Sequence, residues 1–377
     1  MTEGKSEKLP RKYRILVAPL DWGLGHATRC IPIIKEFLAN NCDVWLAGEK
    51  SQEALLRSEF PDLSFLSLPG YQVNYAKNSA GLLWKLILQM PGIISSIKAE
   101  HRWLNRAVKS HQFDAIVSDN RYGLYHRQVP SIFITHQLAV KSPLGTWNER
   151  ILQKWNYSCI NRFAECWVPD LAGENNLAGE LSHPTVKPRV NLRYIDPVSR
   201  FEKKEAAEIK DRLLFILSGP EPQRSILENK IIDEISHYPG TAAIIRGLPS
   251  SQSVIPSTGM IKFYNHLSAK KLNEEMEQAD WVIGRSGYST IMDLARLEKK
   301  SILIPTPGQT EQKYLAESLY QKQVAYKVEQ REFSLTPVLA KAKELNYRFS
   351  SWGNSDALRE AVKNFLDSVA ARKQRIA

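Results

Sequence analysis

A chain of 377 residues that is 43% hydrophobic and 24% charged is too long for a single hydrophobic core and too apolar for a disordered polymer, so two domains of ordinary size are expected. Its four cysteines, Cys30, Cys42, Cys159 and Cys166, form no C-x-x-C pair or histidine spacing suited to zinc; they read as small core residues of a reducing compartment, and no metal or disulfide is expected. The net charge of +11 suits a phosphate-bearing substrate, an anionic membrane surface, nucleic acid or plain solubility, and does not choose among them.

Residues 1–13 read as a flexible charged tail without the apolar stretch of a secretory signal, so a cytoplasmic protein is expected. Short β-branched runs then alternate with segments of helical period. In the first half the strand candidates are Arg14–Leu20, Cys42–Ala47, Leu63–Leu68, Ala115–Ser118, Ser131–Thr135 and Cys166–Pro169. In the second they are Leu213–Leu217, Thr241–Arg246, Ile261–Tyr264, Trp281–Ile283, Ser301–Ile304 and Ala325–Val328. The alternation predicts an α/β protein with two Rossmann-like parallel-sheet domains, 14–200 and 213–350. Between them the charged stretch Arg193–Arg212 is the place for a hinge, with 201–212 as the linker. A helix is expected near Pro337–Leu345, with Thr336 as N-cap. In the last segment, 351–377, an amphipathic helix is expected from Asp356 to about Lys373. The apolar run Gly81–Ile97 is interrupted by Lys85 and Pro91 and is too short to span a membrane. Its Leu82, Leu83, Trp84, Leu86, Ile87, Leu88, Ile93, Ile94 and Ile97, beside Lys85 and Lys98, suit peripheral membrane docking and a buried core helix equally.

Several strand ends open into loops fit for phosphate. The first runs into DWGLGHATR, where Gly23 and Gly25 admit close backbone approach, a new helix directs N–H groups at the same spot, and His26 and Arg29 sit in the mouth. Thr28 occupies the place of the third glycine of a dinucleotide fingerprint, so that site is poorly supported, and an ordinary tight turn fits the G-x-G as well. Strand Leu213–Leu217 leads into Ser218–Arg224, SGPEPQR. Strand Trp281–Ile283 leads into GRSGYSTIMDL, where Gly284, Arg285, Ser286, Gly287, Ser289 and Thr290 form a small, hydroxyl-rich helix start suited to a diphosphate. Asp293, just over one turn on, fits either a ribose diol or a carboxylate that merely favours the helix dipole. Strand Ser301–Ile304 opens into PTPGQTEQ, whose Gln309, Glu311 and Gln312 suit sugar hydroxyls at the carboxyl edge of a parallel sheet, or a helix cap.

RSGYSTIMDL followed by IPTPGQTEQKYLAESL resembles the donor half of the GT-B glycosyltransferases of the type that includes the lipid-intermediate N-acetylglucosaminyltransferase of peptidoglycan synthesis, with a family 28 C-terminal domain. GLGHATR is similar to that family's N-terminal glycine loop, FYNHL to the segment along the nucleobase and RYIDPVSRF to its interdomain crossing. The resemblance implies two lobes facing a cleft, a C-terminal helix crossing back to the N-terminal domain, and a UDP-sugar co-substrate with no other cofactor. It implies Ser286, Gly287 and Thr290 at the diphosphate, Asp293 at the ribose, Gln312 at the sugar, Tyr264 and Leu267 along the base, and His26 on the acceptor side. The chain departs from it in carrying Asp293 where glutamate is frequent, and SGPEPQR in place of a glycine-rich loop, which leaves the part of Ser218 and Arg224 at the phosphates open.

Sugar transfer needs charge stabilisation on the leaving diphosphate and a base for the acceptor hydroxyl. No D-x-D motif is present, so helix N-termini and basic side chains are expected to serve the first need without a metal. His26 is the first candidate for the second, since imidazole titrates near neutral pH. Asp119, ending a strand in IVSDNRYG, and His136 in FITHQ stand ready to orient or replace it. The expected activity is thus inverting, metal-independent transfer of a hexose or N-acetylhexosamine from a UDP-sugar to an unidentified hydroxyl acceptor, lipid-linked or cell-envelope glycan, at the inner face of the membrane. The competing readings are a nucleotide-sugar hydrolase or non-hydrolysing 2-epimerase of the same fold, and a non-catalytic nucleotide- or RNA-binding protein. Nucleic acid is disfavoured because aromatic residues are not interleaved with Lys and Arg.

Overall fold

Runs such as RILVAP, AIVSD and SIFI are apolar on both faces, which suits strands covered by helices on either side. The computed structural model describes residues 12–71, 79–142, 145–204, 207–249, 251–350, 352 and 356–376. The first lobe holds β1 (Arg14–Pro19), α1 (Leu24–Ala39), β2 (Asp43–Gly48), α2 (Lys50–Glu59), β3 (Ser64–Ser67), α3 (Ser79–His111), β4 (Ala115–Asp119), β5 (Ser131–Ile134), α4 (Thr146–Ile160), β6 (Glu165–Val168) and β7 (Asn191–Tyr194). The second holds β8 (Ile209–Ile216), α5 (Gln223–Ile235), β9 (Thr241–Ile245), β10 (Ile261–Tyr264), α6 (Ala269–Gln278), β11 (Ala279–Gly284), α7 (Tyr288–Leu297), β12 (Ser301–Leu303), α8 (Thr310–Gln321), β13 (Tyr326–Lys327) and α9 (Leu335–Lys343), and α10 (Asp356–Ile376) closes the chain.

Among the described residues the strands form two wholly parallel sheets, ordered β3-β2-β1-β4-β5-β6-β7 and β10-β9-β8-β11-β12-β13. In each, the chain winds outward from a central strand and returns to its other side, so order reverses between β1 and β4 and between β8 and β11. Loops diverge at such switch points, which is where open α/β sheets bind ligands.

The expected hinge is only partly irregular. Arg193 and Tyr194 belong to β7, which pairs with β6 in register Trp167↔Arg193, and β8 begins at Ile209. β7 is a half-buried edge strand whose Leu192 and Tyr194 pack on the Phe133 cluster while its other residues are polar, so its apolar signal is short. α9 starts two residues before its expected position. Its N-cap is Ser334, and Glu234 of α5 accepts the Leu335 N–H at 2.7 Å, which supplies from outside the capping group that Thr336 would have given.

α10 crosses back onto the first lobe. Its Leu358, Ala361, Val362, Phe365, Leu366 and Val369 are buried at helical spacing; Phe365 meets Trp167 edge to face at 6.0 Å, and Lys373 pairs with Asp114 at 2.5 Å. α3 runs through Pro91 without interruption. The side chains of Leu82, Leu83, Trp84, Leu86, Ile87 and Leu88 lie outside the described residues; beyond them Ile97 is buried and Ile94 exposed. No described helix is long and apolar enough to cross a membrane.

Candidate active site

The two switch points meet across the gap between the lobes. After β1 the chain turns at Gly23, whose φ of +90° suits glycine, and α1 begins. Gly25 lies against the other lobe. Its carbonyl accepts the Ser289 hydroxyl at 2.9 Å, and a Cβ there would stand 3.0 Å from Ser289 Oγ, so a larger residue would displace that hydroxyl.

β4 pairs with β1 so that Pro19 stands beside Asp119, which places this carboxylate under the start of α1. Asp119 is fully buried. Arg29 Nε donates to its Oδ2 at 3.2 Å, Arg29 Nη2 pairs with its Oδ1, the Cys30 thiol points at Oδ2, and His26 Nδ1 lies 3.3 Å from Oδ1. Burial alone would raise the carboxyl's pKa, but Arg29, and then His26, outweigh burial and hold it down at about 2. Asp119 is therefore a permanent anion. His26 Nδ1 also stands 2.9 Å from Arg29 Nη2, which only donates, so in this arrangement Nδ1 accepts from Arg29 and the ring proton sits on Nε2. Nε2 is an acceptor only in the other tautomer, whose Nδ1–H turns to Asp119, in a ring whose side chain is 18% exposed.

His136, following β5, completes this side. Burial lowers its pKa despite Glu311, so the ring is neutral. Nε2–H then donates to Glu311 Oε1 across the cleft at 2.6 Å, and Nδ1 accepts from Arg29 Nη1 at 3.4 Å. Its ring stacks on Tyr288 with centroids 4.1 Å apart, and the Tyr288 hydroxyl donates to the Pro169 carbonyl at 2.8 Å.

On the opposite wall α7 begins after Gly287 with no side chain capping it. A Cβ on Gly287 would meet nothing within 4 Å, so there is room beside the helix start, where unpaired N–H groups and a partial positive charge gather. Arg285, only 1% exposed, lies beneath. Its donors go to neutral acceptors, the carbonyls of Gln223, Ile304 and Pro305 and the Gln330 amide oxygen, and its Nε has no partner among the described residues. Burial without a counter-ion lowers its pKa to about 10. It thus contributes positive potential under the helix start rather than a surface contact. Ser218 and Gly219, with φ +102°, are exposed at the end of β8.

The remaining residues named from the sequence divide. Ser286 is buried, its hydroxyl donating to the Gln312 carbonyl at 2.8 Å, while Gln312 Oε1 accepts the Thr306 N–H at 2.9 Å. Gln309 stands at the N-cap position of α8 without a capping side-chain bond, and Thr290 is half-buried in the first turn of α7. Tyr264 and Leu267 lie at and just beyond the end of β10, Leu267 within the core. Arg224 is not free for a phosphate: its guanidinium donates to Glu221 at 2.6 Å and Glu228 at 3.0 Å, because a buried cation on α5 needs carboxylates close by. Asp293 accepts the Ser199 hydroxyl at 2.6 Å, and burial raises its pKa to about 6 against the pull of Arg200.

Sequence reasoning passed over Ser199, Arg200, Tyr288 and Thr306. Arg200 holds two buried N–H-bearing nitrogens, Nε and Nη1, with no partner among the described residues, and Thr306 a buried hydroxyl in the same condition. Their only signal was position, Arg200 at the interdomain crossing and Thr306 just past a strand end.

Residues 258–365 match the glycosyltransferase family 28 C-terminal domain. Over 329 residues the chain is 24% identical to the UDP-N-acetylglucosamine--N-acetylmuramyl-(pentapeptide) pyrophosphoryl-undecaprenol N-acetylglucosamine transferase of Haemophilus ducreyi, a match that covers 84% of this chain and 85% of that protein. Among solved structures, the calicheamicin glycosyltransferase CalG4 is similar with a TM-score of 0.60 at 12% identity, over 97% of this chain and 100% of that one. MurG of Acinetobacter baumannii is similar with a TM-score of 0.50 at 12% identity, over 93% of each chain; at such identities the likeness is one of fold. The chain is a glycosyltransferase of GT-B architecture with a family 28 C-terminal domain, resembling along most of its length the N-acetylglucosaminyltransferase of peptidoglycan synthesis.

Proposed function

We propose that the protein transfers a hexose or N-acetylhexosamine from a UDP-sugar to a hydroxyl of a lipid-linked or cell-envelope acceptor, with inversion and without a metal, at the cytoplasmic face of a membrane. The observation that carries this reading is the meeting of the uncapped α7 start with the loop that presents His26, held together by the Ser289–Gly25 bond. A diphosphate at the helix start finds N–H groups, with Arg285 beneath, to stabilise the charge that develops on it. The ribose diol would replace Ser199 on Asp293, and Gln312 lies beside the sugar.

In the transfer, the acceptor O–H bond breaks as its oxygen bonds the anomeric carbon, the carbon–phosphate oxygen bond breaks, and its electron pair leaves with UDP. The proton goes to Nε2 of the His26 tautomer that donates its Nδ1–H to Asp119 rather than accepting from Arg29. Asp119 stabilises the imidazolium that forms, and Arg29 fixes Asp119. One displacement inverts the anomeric centre. Donor selection comes to this chain from the activity printed for its Haemophilus ducreyi relative.

The test is UDP release from a panel of UDP-sugars with and without glycoside or lipid-linked acceptors, with product configuration read by NMR. Acceptor-dependent turnover that survives EDTA and gives the inverted anomer is expected. Equal sugar release without acceptor, or a 2-epimer, would move the assignment to the hydrolase or epimerase class.

A further inference from the structure

Two carboxylates suited to ligand hydroxyls, Asp293 and Glu311, are already engaged by donors of this chain. Ser199, in the crossing between the lobes, gives its hydroxyl proton to Asp293 Oδ1 at 2.6 Å. His136, at the end of β5 in the first lobe, gives its Nε2–H to Glu311 Oε1 on α8 at 2.6 Å. Neither carboxylate is sealed from the cleft: Asp293 is half-buried, and the Glu311 side chain is 34% exposed.

Both occupants are aimed by their surroundings. Ser199 lies close to Val198 and Phe201, which are buried in the core cluster that spans the lobes. Its Oγ accepts the Phe201 N–H at 3.1 Å, so its own proton is left for Asp293. The His136 ring stacks on Tyr288 with centroids 4.1 Å apart and takes Arg29 Nη1 on Nδ1 at 3.4 Å, which leaves the Nε2–H for Glu311. A ligand hydroxyl offers a carboxylate what each of these side chains already gives it, a single hydrogen-bond donor. It therefore exchanges one bond for another rather than adding one. Other bonds between the lobes use neither carboxylate. Ser289 donates to the Gly25 carbonyl, Tyr288 to that of Pro169, the Glu180 N–H to the Tyr314 hydroxyl, and Lys322 to Asn176, so the exchange leaves the lobes joined.

We infer that Ser199 and His136 are built-in competitors of the donor, Ser199 standing in for a ribose hydroxyl on Asp293 and His136 for a sugar hydroxyl on Glu311. Donor affinity is thereby set below what two unoccupied carboxylates would give. After transfer, Ser199 returns to Asp293 as UDP leaves, so the product is displaced by the chain itself. This inference rests on the donor reading of Asp293 and Glu311.

The experiment titrates the full chain, as wild type, Ser199→Ala, His136→Phe and Asp293→Ala, with UDP, UDP-glucose and UDP-N-acetylglucosamine by calorimetry, beside a thermal melt of each protein alone. His136→Phe keeps a ring on Tyr288 and removes the N–H; His136→Leu serves if that variant does not fold. Ser199→Ala should bind UDP and the UDP-sugars about tenfold tighter, the size of one hydrogen bond to a charged group. Its own melting temperature should fall, because Asp293 and the Phe201 N–H each lose a partner. The His136 variant should bind UDP as wild type does, and bind about tenfold tighter the UDP-sugar that wild type prefers. A side chain that touched the ligand, or merely supported the fold, would give weaker or unchanged binding instead. UDP binding by Ser199→Ala that is unchanged or weaker, or a His136 variant that gains nothing for any UDP-sugar, overturns the inference while the loss of UDP binding in Asp293→Ala upholds the donor reading. A wild type that does not bind UDP, or an Asp293→Ala that binds it as wild type does, overturns the donor reading and this inference with it.

Discussion

At the residue scale, the site is ordered by what burial demands of its charges. Arg29 and Asp119 are both buried, and neither tolerates loss of the other: Asp119→Ala leaves an uncompensated cation and should cost about 3–5 kcal/mol of stability, seen as a lower melting temperature together with lost turnover. His26 sits at the cleft end of the same group, its side chain 18% exposed, and leaves no buried charge unpaired when removed. His26→Ala should keep its melting temperature and its UDP binding while kcat falls about 10²- to 10⁴-fold; steady-state kinetics beside a thermal melt separate the two. Asp293 makes a prediction in pH. An ordinary aspartate ionises near ~3.9, and Asp293 near 6, so between these values the native chain holds a proton that the unfolded chain has lost. Its ionisation opposes folding. Stability should therefore fall as pH rises from about 4 through 6, and Asp293→Asn should remove that slope; melts of both proteins from pH 4.5 to 7.5 would show parallel curves if the carboxyl were unperturbed. Asp119, held at about 2, behaves oppositely, adding stability above ~4 that is lost only as pH falls toward 2.

At the scale of elements, helix starts and strand ends do the positioning. The β1, β4, β8 and β11 ends were legible because apolar runs bounded by Gly, Ser and Asp announce both a buried strand and its loop. The α10 seam was legible from its spacing, and Phe365→Ala, which empties a buried aromatic site against Trp167, should cost about 3–5 kcal/mol, measured by denaturant unfolding. β7 and the true cap of α9 were not legible. One is an edge strand with two inward residues, and the other is capped by Glu234, about a hundred positions away. The same limit governed the site. His26, Asp119, His136 and Glu311 could each be named from local pattern, but that Arg29 ties two histidines to one carboxylate, or that Ser199 occupies Asp293, depends on packing between lobes. Arg224 shows the converse, since a basic residue in a phosphate-like loop turned out to answer two nearby glutamates.

For the whole molecule, the lobes are joined by many specific contacts, among them Ser289 on Gly25, Tyr288 on Pro169 and His136, the His136–Glu311 bond, the Glu180 N–H on the Tyr314 hydroxyl and the Lys322 ammonium on Asn176. The central claim is that the α7 start binds a diphosphate and Asp293 its ribose, and it is tested most directly by the thermal shift of wild type and Asp293→Ala with UDP and with ATP. A ligand bound only by the native state at a hundred times its Kd adds about 2.7 kcal/mol, so the account predicts a clear upward shift of wild type with UDP, little with ATP, and loss of the UDP shift in Asp293→Ala. Equal shifts with UDP and ATP, or a variant that responds to UDP as wild type does, would contradict it.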